Sequence, residues 1–236
     1  MKLGIITDIH NNITALRKIL DEFEKQGCTG IICAGDIIGI GPYPEETIRK
    51  ISRLSNLLAC VKGNHEEYLT NGMELYTNMD NHEKRYHIWE HSKLSEFSKE
   101  YINHMPKEKY LSIGKKIIYV THYANEDNKR RGVVRNPSVK DLNNLFKEID
   151  ADIIIYGHDH APINLEGNKL YINPGSLGCP GKEMDIARAG ILTINEEVTY
   201  KQLNIKYEVE LVINKINEYN YPAKEEIKKF FFGIDK

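Results

Sequence analysis

The sequence lacks several features that would assign it to common protein classes. No apolar run approaches the roughly 20 residues that span a bilayer, and the apolar part of the opening "MKLGIITDIH" is too short for a signal peptide. The four cysteines form no Cys-x-x-Cys pair, and as reduced core residues they suit a reducing cytoplasm. Lys and Arg number 32 against 34 Asp and Glu, so no charge excess attracts nucleic acid or anionic membranes in general. We therefore expect a cytoplasmic protein without membrane or general nucleic-acid binding.

Length and hydrophobic pattern predict one α/β domain. A chain of 236 residues with 41% hydrophobic residues can bury one sizeable core, so we expect a single domain over residues 1–236. Short apolar runs alternate with runs of helical period, which indicates strands and helices packed around a sheet. The predicted strands are Leu3–Thr7, Gly30–Ala34, Leu57–Val61, Ile117–Thr121, Ile153–Tyr156 and Leu170–Ile172.

Helical patterns fill most of the remaining sequence. One predicted helix follows Asn12, a suitable N-cap, and another follows Pro44. The charged and aromatic stretch at about 66–105 predicts a helical cap inserted between strands, and a helical tail is expected at about 207–236. The runs 191–194 and 198–203 flank a short turn and predict a hairpin.

The unusual polar residues of the chain sit where predicted strands end. The motifs are "ITDIHNN", "CAGDIIG", "VKGNHEE", "VTHYA" and "YGHDH". They contribute the candidate metal ligands Asp8, His10, Asp36, Asn64, His122, His158 and His160. Loops after the carboxyl ends of strands converge on one edge of a sheet, where ligands usually bind. A lone His-x-His or Gly-Asp arises by chance or in an ordinary turn, but five motifs at strand ends together predict one site.

The donor types favour divalent transition metals. Carboxylate, imidazole and amide oxygen suit Mn, with Fe, Zn, Ni and Co also permitted. Seven ligands exceed the need of one catalytic ion, so we expect two ions that share Asp36 through its two oxygens. Two such ions would activate a bridging water for in-line attack on a phosphate ester. His65, next to Asn64, is the candidate that stabilises the transition state or protonates the leaving oxygen.

The ordered set DIH, GDIIGIGP, GNHE, THY and GHDH resembles the calcineurin-like metallophosphoesterase superfamily over roughly residues 1–180. The resemblance implies a four-layer α/β/β/α sandwich built on two mixed sheets. It also implies two metal sites with Asp36 common to both: Asp8, His10, Asp36 and His160 hold one ion, and Asp36, Asn64, His122 and His158 hold the other. His65 and Asp36 are then the catalytic residues.

Departures from better-known branches narrow the activity. The stretch "GDIIGIGPYP" lacks the Asp-Arg-Gly of protein phosphatases and symmetrical dinucleoside tetraphosphatases, which disfavours protein phosphatase activity. The "GPYP" and "NPGSLG" stretches look like small bacterial and archaeal phosphodiesterase-like members. We expect hydrolysis of phosphodiester or phosphoanhydride bonds in small nucleotide-like substrates. Dinucleoside polyphosphate hydrolysis and phosphomonoesterase activity are the alternatives.

Several residues are candidates for substrate contact. The loop "NEDNKRRGVVRNPS" supplies Lys129, Arg130, Arg131 and Arg135, whose guanidinium groups suit phosphate oxygens, although a solvated basic loop fits equally well. Asn11 could touch phosphate or cap the helix that follows it. The aromatic residues of the cap, among them Tyr86 and Trp89, either stack on a base or pack the cap onto the domain.

A protein of another class remains the rival hypothesis. A non-catalytic scaffold of the same fold, as in the retromer subunit that resembles these enzymes, would be expected to have lost ligands or the histidine of GNHE, and this chain retains both. The partner expected here is a small phosphorylated molecule, and the oligomeric state, homo-oligomers included, stays open.

The basic loop gives a first testable prediction. If it holds a second phosphate, replacing Arg130 and Arg131 by alanine will slow hydrolysis of a dinucleoside polyphosphate and spare bis-p-nitrophenyl phosphate. Steady-state turnover of both substrates measures this. Equal turnover of the polyphosphate by the variant and the wild type would identify a solvated loop.

Overall fold

The computed structural model describes residues 1–75, 79–126, 129–179 and 181–234. Its strands are β1 (Lys2–Ile6), β2 (Gly30–Cys33), β3 (Leu57–Cys60), β4 (Glu108–Ile113), β5 (Lys116–Thr121), β6 (Asn125–Glu126), β7 (Lys129–Arg130), β8 (Ile153–Ile155), β9 (Ile163–Glu166), β10 (Leu170–Asn173), β11 (Ile186–Ile194) and β12 (Val198–Lys206). Its helices are α1 (Ile13–Lys25), α2 (Pro44–Ser52), α3 (Asn64–Asn71), α4 (Asn81–Lys93), α5 (Glu96–His104), α6 (Val139–Leu145), α7 (Val209–Glu218) and α8 (Lys224–Phe232), with a 3₁₀ turn at Met73–Leu75.

Two five-stranded mixed sheets form the centre of the molecule. The first has the order β12-β11-β1-β2-β3 and the second the order β4-β5-β8-β10-β9. In each sheet the three strands that carry candidate site motifs or lie beside them run parallel: β1, β2 and β3 in the first, and β5, β8 and β10 in the second. Antiparallel strands flank them. The carboxyl ends of the parallel strands are therefore free to carry loops at a common edge.

Three clusters of buried side chains hold the layers together. One cluster lies between the sheets and is made mainly of β-branched and leucine side chains such as Ile5, Ile32 and Ile155. The largest covers the outer face of the first sheet with helices α1, α2, α4, α5, α7 and α8. The third packs α6 on the second sheet, where Leu142 meets Tyr171. Burying each such side chain contributes roughly 1.5–3 kcal/mol. The result is the predicted four-layer α/β/β/α sandwich.

Helix α1 illustrates how apolar spacing and an N-cap in the sequence determine a helix. Ile13, Leu16, Ile19 and Phe23 recur at helical spacing and are all buried. The Asn12 side chain accepts a hydrogen bond from the backbone N–H of Ala15, so the cap expected from the sequence is confirmed. Within the described ranges, every helix is too short or too polar to span a lipid bilayer.

The six predicted strands are all present within a residue or two, and the hairpin is longer than predicted, with Ile186 paired to Lys206 at its far end. The sequence pattern missed β4 and β9, in which four of six and two of four residues are exposed. It also missed α6, a helix of seven residues.

The predicted cap and tail are helical where they are described, and residues 76–78 and 235–236 lie outside the described part of the chain. The insertion packs closely on the domain, because Tyr86, Leu94, Ile102 and Met105 belong to the large outer cluster. Its helices thus extend the layer that α1 and α2 begin.

Asn12 provides a test of this packing. Besides capping α1, its buried amide donates to the Gly178 carbonyl and the Tyr207 hydroxyl, both at 3.1 Å. We expect Asn12→Ala to lower the free energy of unfolding by about 2–3 kcal/mol, since a cap and two buried partners are lost. Ser138→Ala, which removes the exposed N-cap of α6, is the control and should cost about 1 kcal/mol. Equal losses in urea denaturation would contradict a special role for Asn12.

Candidate metal centre and phosphate site

The loops after five strands meet at one edge of the two sheets. Backbone hydrogen bonds join them: the N–H of Asp8 donates to the Gly35 carbonyl at 3.0 Å, and the N–H of His10 donates to the Asp36 carbonyl at 3.0 Å. The N–H of Gly157 donates to the His122 carbonyl at 2.9 Å, so the loops of the second sheet are joined as well. These bonds hold the ligand-bearing loops of each sheet side by side.

The backbone at these positions is strained in a consistent way. Nine non-glycine residues in the described ranges have positive φ, and five of them are predicted ligands: Asp8, His10, Asp36, His158 and His160. The left-handed region costs a non-glycine residue roughly 1–2 kcal/mol. Such strain gathers at functional sites, where surrounding contacts hold it in place.

Two glycines make room for the carboxylates. A Cβ at Gly63 would overlap the Asp36 carboxylate, and a Cβ at Gly157 would overlap Thr7 and the Asp8 carboxylate. Only glycine, which lacks a Cβ, fits at these two positions while the carboxylates keep their places.

The first group of donors contains Asp8, His10 and His160. Their ligand atoms lie within 4.8 Å of one another. The Nε2 atoms of His10 and His160 are 3.0 Å apart, and Asp8 Oδ1 lies 3.7 Å from the first and 3.4 Å from the second. Burial alone would raise the pKa of Asp8, but the imidazoles of His160 and His10 outweigh it and hold this pKa well below its usual value.

The second group contains Asp36, His122 and His158, with Asn64 beside it. His122 Nε2 lies 3.1 Å from Asp36 Oδ2 and 3.2 Å from Asn64 Oδ1. Burial opposes a charge on His122, yet the Asp36 carboxylate raises the pKa of that histidine to about 9. Burial and the nearby His122 lower the pKa of His158 to about 4. Asp36 also shares a group with His10, so its carboxylate lies between the two sets of donors.

The orientation of two imidazoles fits metal binding. His122 Nδ1 donates to the Ala34 carbonyl at 2.8 Å, and His10 Nδ1 donates to the Ile38 carbonyl at 3.3 Å. Because a carbonyl only accepts, Nδ1 carries a proton in each ring, and Nε2 is the nitrogen that faces the donor groups and is available to a metal once it carries no proton. This is the arrangement in which a backbone group orients a histidine ligand. The donor set of carboxylates, imidazoles and one amide suits a hard or intermediate divalent cation.

His65 lies beside the two groups of donors, in the wall of a cavity of about 560 Å³. Its backbone N–H donates to Asp36 Oδ1 at 3.0 Å, and its Nε2 lies 3.9 Å from Asp36 Oδ2. Burial lowers the pKa of His65 to about 3, with the Asp36 carboxylate acting only partly against it. In this arrangement the ring is neutral and keeps one N–H donor.

Glu66, which sequence reasoning passed over, fixes the loop that carries Asp36. Its carboxylate accepts hydrogen bonds from the backbone N–H groups of Asp36, Ile37, Ile38 and Gly63, at 2.7–3.0 Å. Burial and the charge of Asp36 raise the pKa of Glu66 to about 7 despite these bonds. The spacing from Gly63 to Glu66 is that of a capping box, which was the available signal.

Glu90 holds a second buried network. Its carboxylate accepts from the backbone N–H of Gly39, the Asn11 amide, the Tyr86 hydroxyl and His87 Nδ1. Burial would raise the pKa of Glu90, but the hydrogen bond and charge of His87 hold it at about 2. Burial likewise opposes a charge on His87, and bonds to Glu83 and Glu90 raise its pKa to about 9.

His87, Glu90 and His91 also bring potential ligand atoms together, but the bonds to Glu90 already engage its carboxylate. Nothing in the helix pattern links α4 to residues 11 and 39, so the sequence carries no signal for this network.

Of the arginines predicted to contact substrate, one lines the cavity and two bond to other groups of the protein. Arg135 lines the cavity beside the clusters. Arg130 instead donates to the Glu67 carboxylate at 3.0 Å, and Arg131 donates to the Asn144 carbonyl at 3.2 Å. These partners favour a structural role for both arginines. The side chain of Lys129 and residues 127–128 lie outside the described part of the chain.

Asn11 is fully buried, and its amide donates to Glu90 and to Tyr86, so its placement does not support the predicted phosphate contact. Asn12, not Asn11, caps the following helix. Two residues of "NPGSLG" hold the ligand loops: the Ser176 hydroxyl donates to the Asp8 carbonyl at 2.9 Å, and the Asn173 amide donates to the Gly157 carbonyl at 3.2 Å.

Comparisons with known proteins agree with this geometry. The model of the calcineurin-like phosphoesterase superfamily domain matches residues 1–197. An uncharacterized protein of Methanocaldococcus jannaschii is 27% identical over 237 residues, covering 93% of each chain. The phosphodiesterase YfcE of Escherichia coli is 21% identical over 189 residues, covering 76% of this chain and 81% of YfcE. The crystal structure of a hypothetical protein from Pyrococcus horikoshii shares the fold, with a TM-score of 0.87, 18% identity and coverage of 100% of this chain and 99% of that one.

Gly39 offers a test of the position of His65. Gly39 has φ +95°, and a Cβ there would overlap the His65 ring. If His65 has the catalytic role expected from the sequence, Gly39→Ala will push its imidazole aside and lower kcat for bis-p-nitrophenyl phosphate at least about tenfold, because the group loses its alignment. Metal content, measured by elemental analysis, should stay unchanged.

Gly27→Ala is the matched control, since Gly27 also has positive φ but a Cβ there would meet nothing within 4 Å. If the two variants had the same kcat, backbone strain rather than displacement of His65 would explain the loss.

Proposed function

We propose, because this chain belongs to the calcineurin-like phosphoesterase superfamily, that it is a binuclear metal-dependent phosphoesterase that cleaves phosphodiester or phosphoanhydride bonds of small nucleotide-like substrates. The observation that carries the proposal is the meeting of both donor groups around the Asp36 carboxylate, at the wall of one cavity. The likeness to the phosphodiesterase YfcE supports a diester as the substrate.

The donors divide into two metal sites in this proposal. Asp8, His10, Asp36 and His160 would hold one ion, and Asp36, Asn64, His122 and His158 would hold the other. Manganese is the first candidate, because these oxygen and nitrogen donors suit it. Two divalent ions bound there would act as Lewis acids and neutralise the charge of the phosphoryl group.

The chain's own residues then position and stabilise the reacting group. His65 faces the cavity with its imidazole and can donate a hydrogen bond to the oxygen of the departing alcohol. The Arg135 guanidinium lines the same cavity, where it can pair with a phosphate oxygen. Glu66 keeps the Asp36 carboxylate in register through the backbone bonds that it accepts. Electrostatic positioning of this kind supplies most of the catalysis in phosphoryl transfer.

The rival functions fit less well. The pairing of Arg130 with Glu67 and of Arg131 with backbone carbonyls removes the main argument for a polyphosphate substrate. A non-catalytic scaffold would not need strained backbone at five donor residues or a histidine held beside Asp36. Hydrolysis therefore accounts for the geometry more completely than scaffolding does.

Hydrolysis of bis-p-nitrophenyl phosphate tests the proposal. We expect turnover by Mn-loaded protein, loss of turnover on chelation, and two ions per chain by elemental analysis. Asp36→Ala should lose both metal and activity, because it removes the shared carboxylate. His65→Ala should keep its metal and lose about 10²-fold or more in kcat, since only the donor to the leaving group is gone.

His104→Ala is the matched control, because His104 is exposed on α5 and its ring donates to the Glu100 carbonyl in its own helix. It should retain full activity. A wild-type protein that binds two ions and hydrolyses no phosphate ester would favour the scaffold hypothesis instead.

A further inference from the structure

A second cavity adjoins the one beside the two groups of candidate metal donors. We call it the side pocket. It has a volume of about 310 Å³, within the range of about 300–1,000 Å³ typical of ligand pockets, and it lies between α4 and α8. Four residues, Ile40, His65, Glu83 and Phe231, line both cavities. The two spaces therefore meet at the imidazole that faces the reacting phosphate.

The wall of the side pocket is largely apolar. Its apolar and aromatic residues are Ile40, Tyr86, Ala223, Ile227, Phe230 and Phe231. Phe230 is 69% exposed, although it is a large hydrophobic side chain. A flat apolar group placed here would bury ring and aliphatic surface that water now contacts, which is favourable.

The charged side chains of the side pocket are mainly acidic. Asp80, Glu83 and Glu226 line it together with the histidines His82 and His87, and no lysine or arginine does so among the described residues. His87 is paired with Glu83 and Glu90, and His82 lies 3.8 Å from Glu226. A second phosphate in this pocket would meet three carboxylates, and among the described lining residues the only groups that can become cations are histidines already close to carboxylates.

The loop at Ile40, which lines both cavities, has strained backbone. Ile40 has φ +69°, a genuine outlier for a β-branched residue, and its side chain is buried. The Tyr221 hydroxyl donates to the Ile40 carbonyl, and the Tyr86 hydroxyl shares its hydrogen between Glu90 and the Gly41 carbonyl, which lies at 3.2 Å. Side chains from α4 and from the C-terminal segment thus hold the strained loop, and residue 221 lies beyond the part that the family model matches.

We propose that the side pocket binds an uncharged aromatic ester group of the substrate, adjacent to the phosphate and free of further phosphate groups. This inference rests on the proposed function and specifies its substrate class. The phosphate lies against the metal clusters and Arg135, and the aromatic group passes His65 to enter the space between α4 and α8. Helix α8 thereby becomes a determinant of specificity.

Phosphonates test the pocket without turnover, since their P–C bond is not hydrolysed. Isothermal titration calorimetry of the Mn-loaded protein would compare methylphosphonate with 2-phenylethylphosphonate, which share the same head group. We expect the phenyl compound to bind at least about tenfold more tightly, because its ring leaves water. Ethane-1,2-diphosphonate should gain nothing over methylphosphonate from its second, charged group.

Two variants locate the effect. Phe230→Ala should reduce the phenyl preference to less than about threefold, because part of the apolar wall is removed. Phe97→Ala is the matched control: Phe97 is 51% exposed on α5, away from both cavities, and its variant should keep the preference. Glu226→Lys should tighten binding of the diphosphonate and leave methylphosphonate as it was, since it places a cation in the side pocket.

The outcomes separate this inference from the proposed function. If methylphosphonate does not bind and bis-p-nitrophenyl phosphate is not hydrolysed, the proposed function fails. If both occur and the phenyl group adds no affinity, or if Phe230→Ala keeps the full preference, the side pocket is not the ester subsite. Tight binding of the diphosphonate by the wild type would also overturn it.

Discussion

The rest of the structure depends on keeping two buried carboxylates, Asp8 and Asp36, ionised. A buried carboxylate stays ionised only if cations or donors surround it, because burial alone favours the neutral acid. Here the histidines of four loops face these two side chains, and backbone N–H groups of His65 and His158 donate to them. Every strand that carries one of these loops must end at the same edge for this to hold. The parallel centres of the two sheets are the architecture that satisfies that requirement.

Much of the fold and of the donor set was readable from the sequence, for an identifiable reason. Strands buried on both faces, such as β2 and β8, appear as unbroken apolar runs, and the polar residue that ends each run is then conspicuous. Asp36 and His158 were found in this way. The exposed strand β4 offered no such contrast, so its alternation was lost among charged residues.

The supporting contacts could not be read from the sequence because they join distant segments. Glu90 meets Gly39 and Asn11 only after α4 folds back over the domain, and its helix pattern does not distinguish it from the glutamates of a solvated face. Arg130 shows the converse. The basic loop around Arg130 suggested phosphate binding, but the Arg130 guanidinium forms an ion pair with the Glu67 carboxylate of α3. Residue type predicts what a side chain can bind, and only the tertiary structure decides which partner reaches it.

The position of β1 in the middle of the first sheet has a consequence for how the protein is made. Lys2 pairs with Thr193, and the donors around the two carboxylates extend from Asp8 to His160. On the ribosome, β1 emerges long before β11 exists, so one side of it stays unpaired until residues 186–194 have been made. The sheet closes, and the donor cluster gains its last imidazoles, only after residues 158–194 have been made. The complete donor set therefore forms only after the strands of both sheets have been made, and until then the unpaired side of β1 is exposed to aggregation.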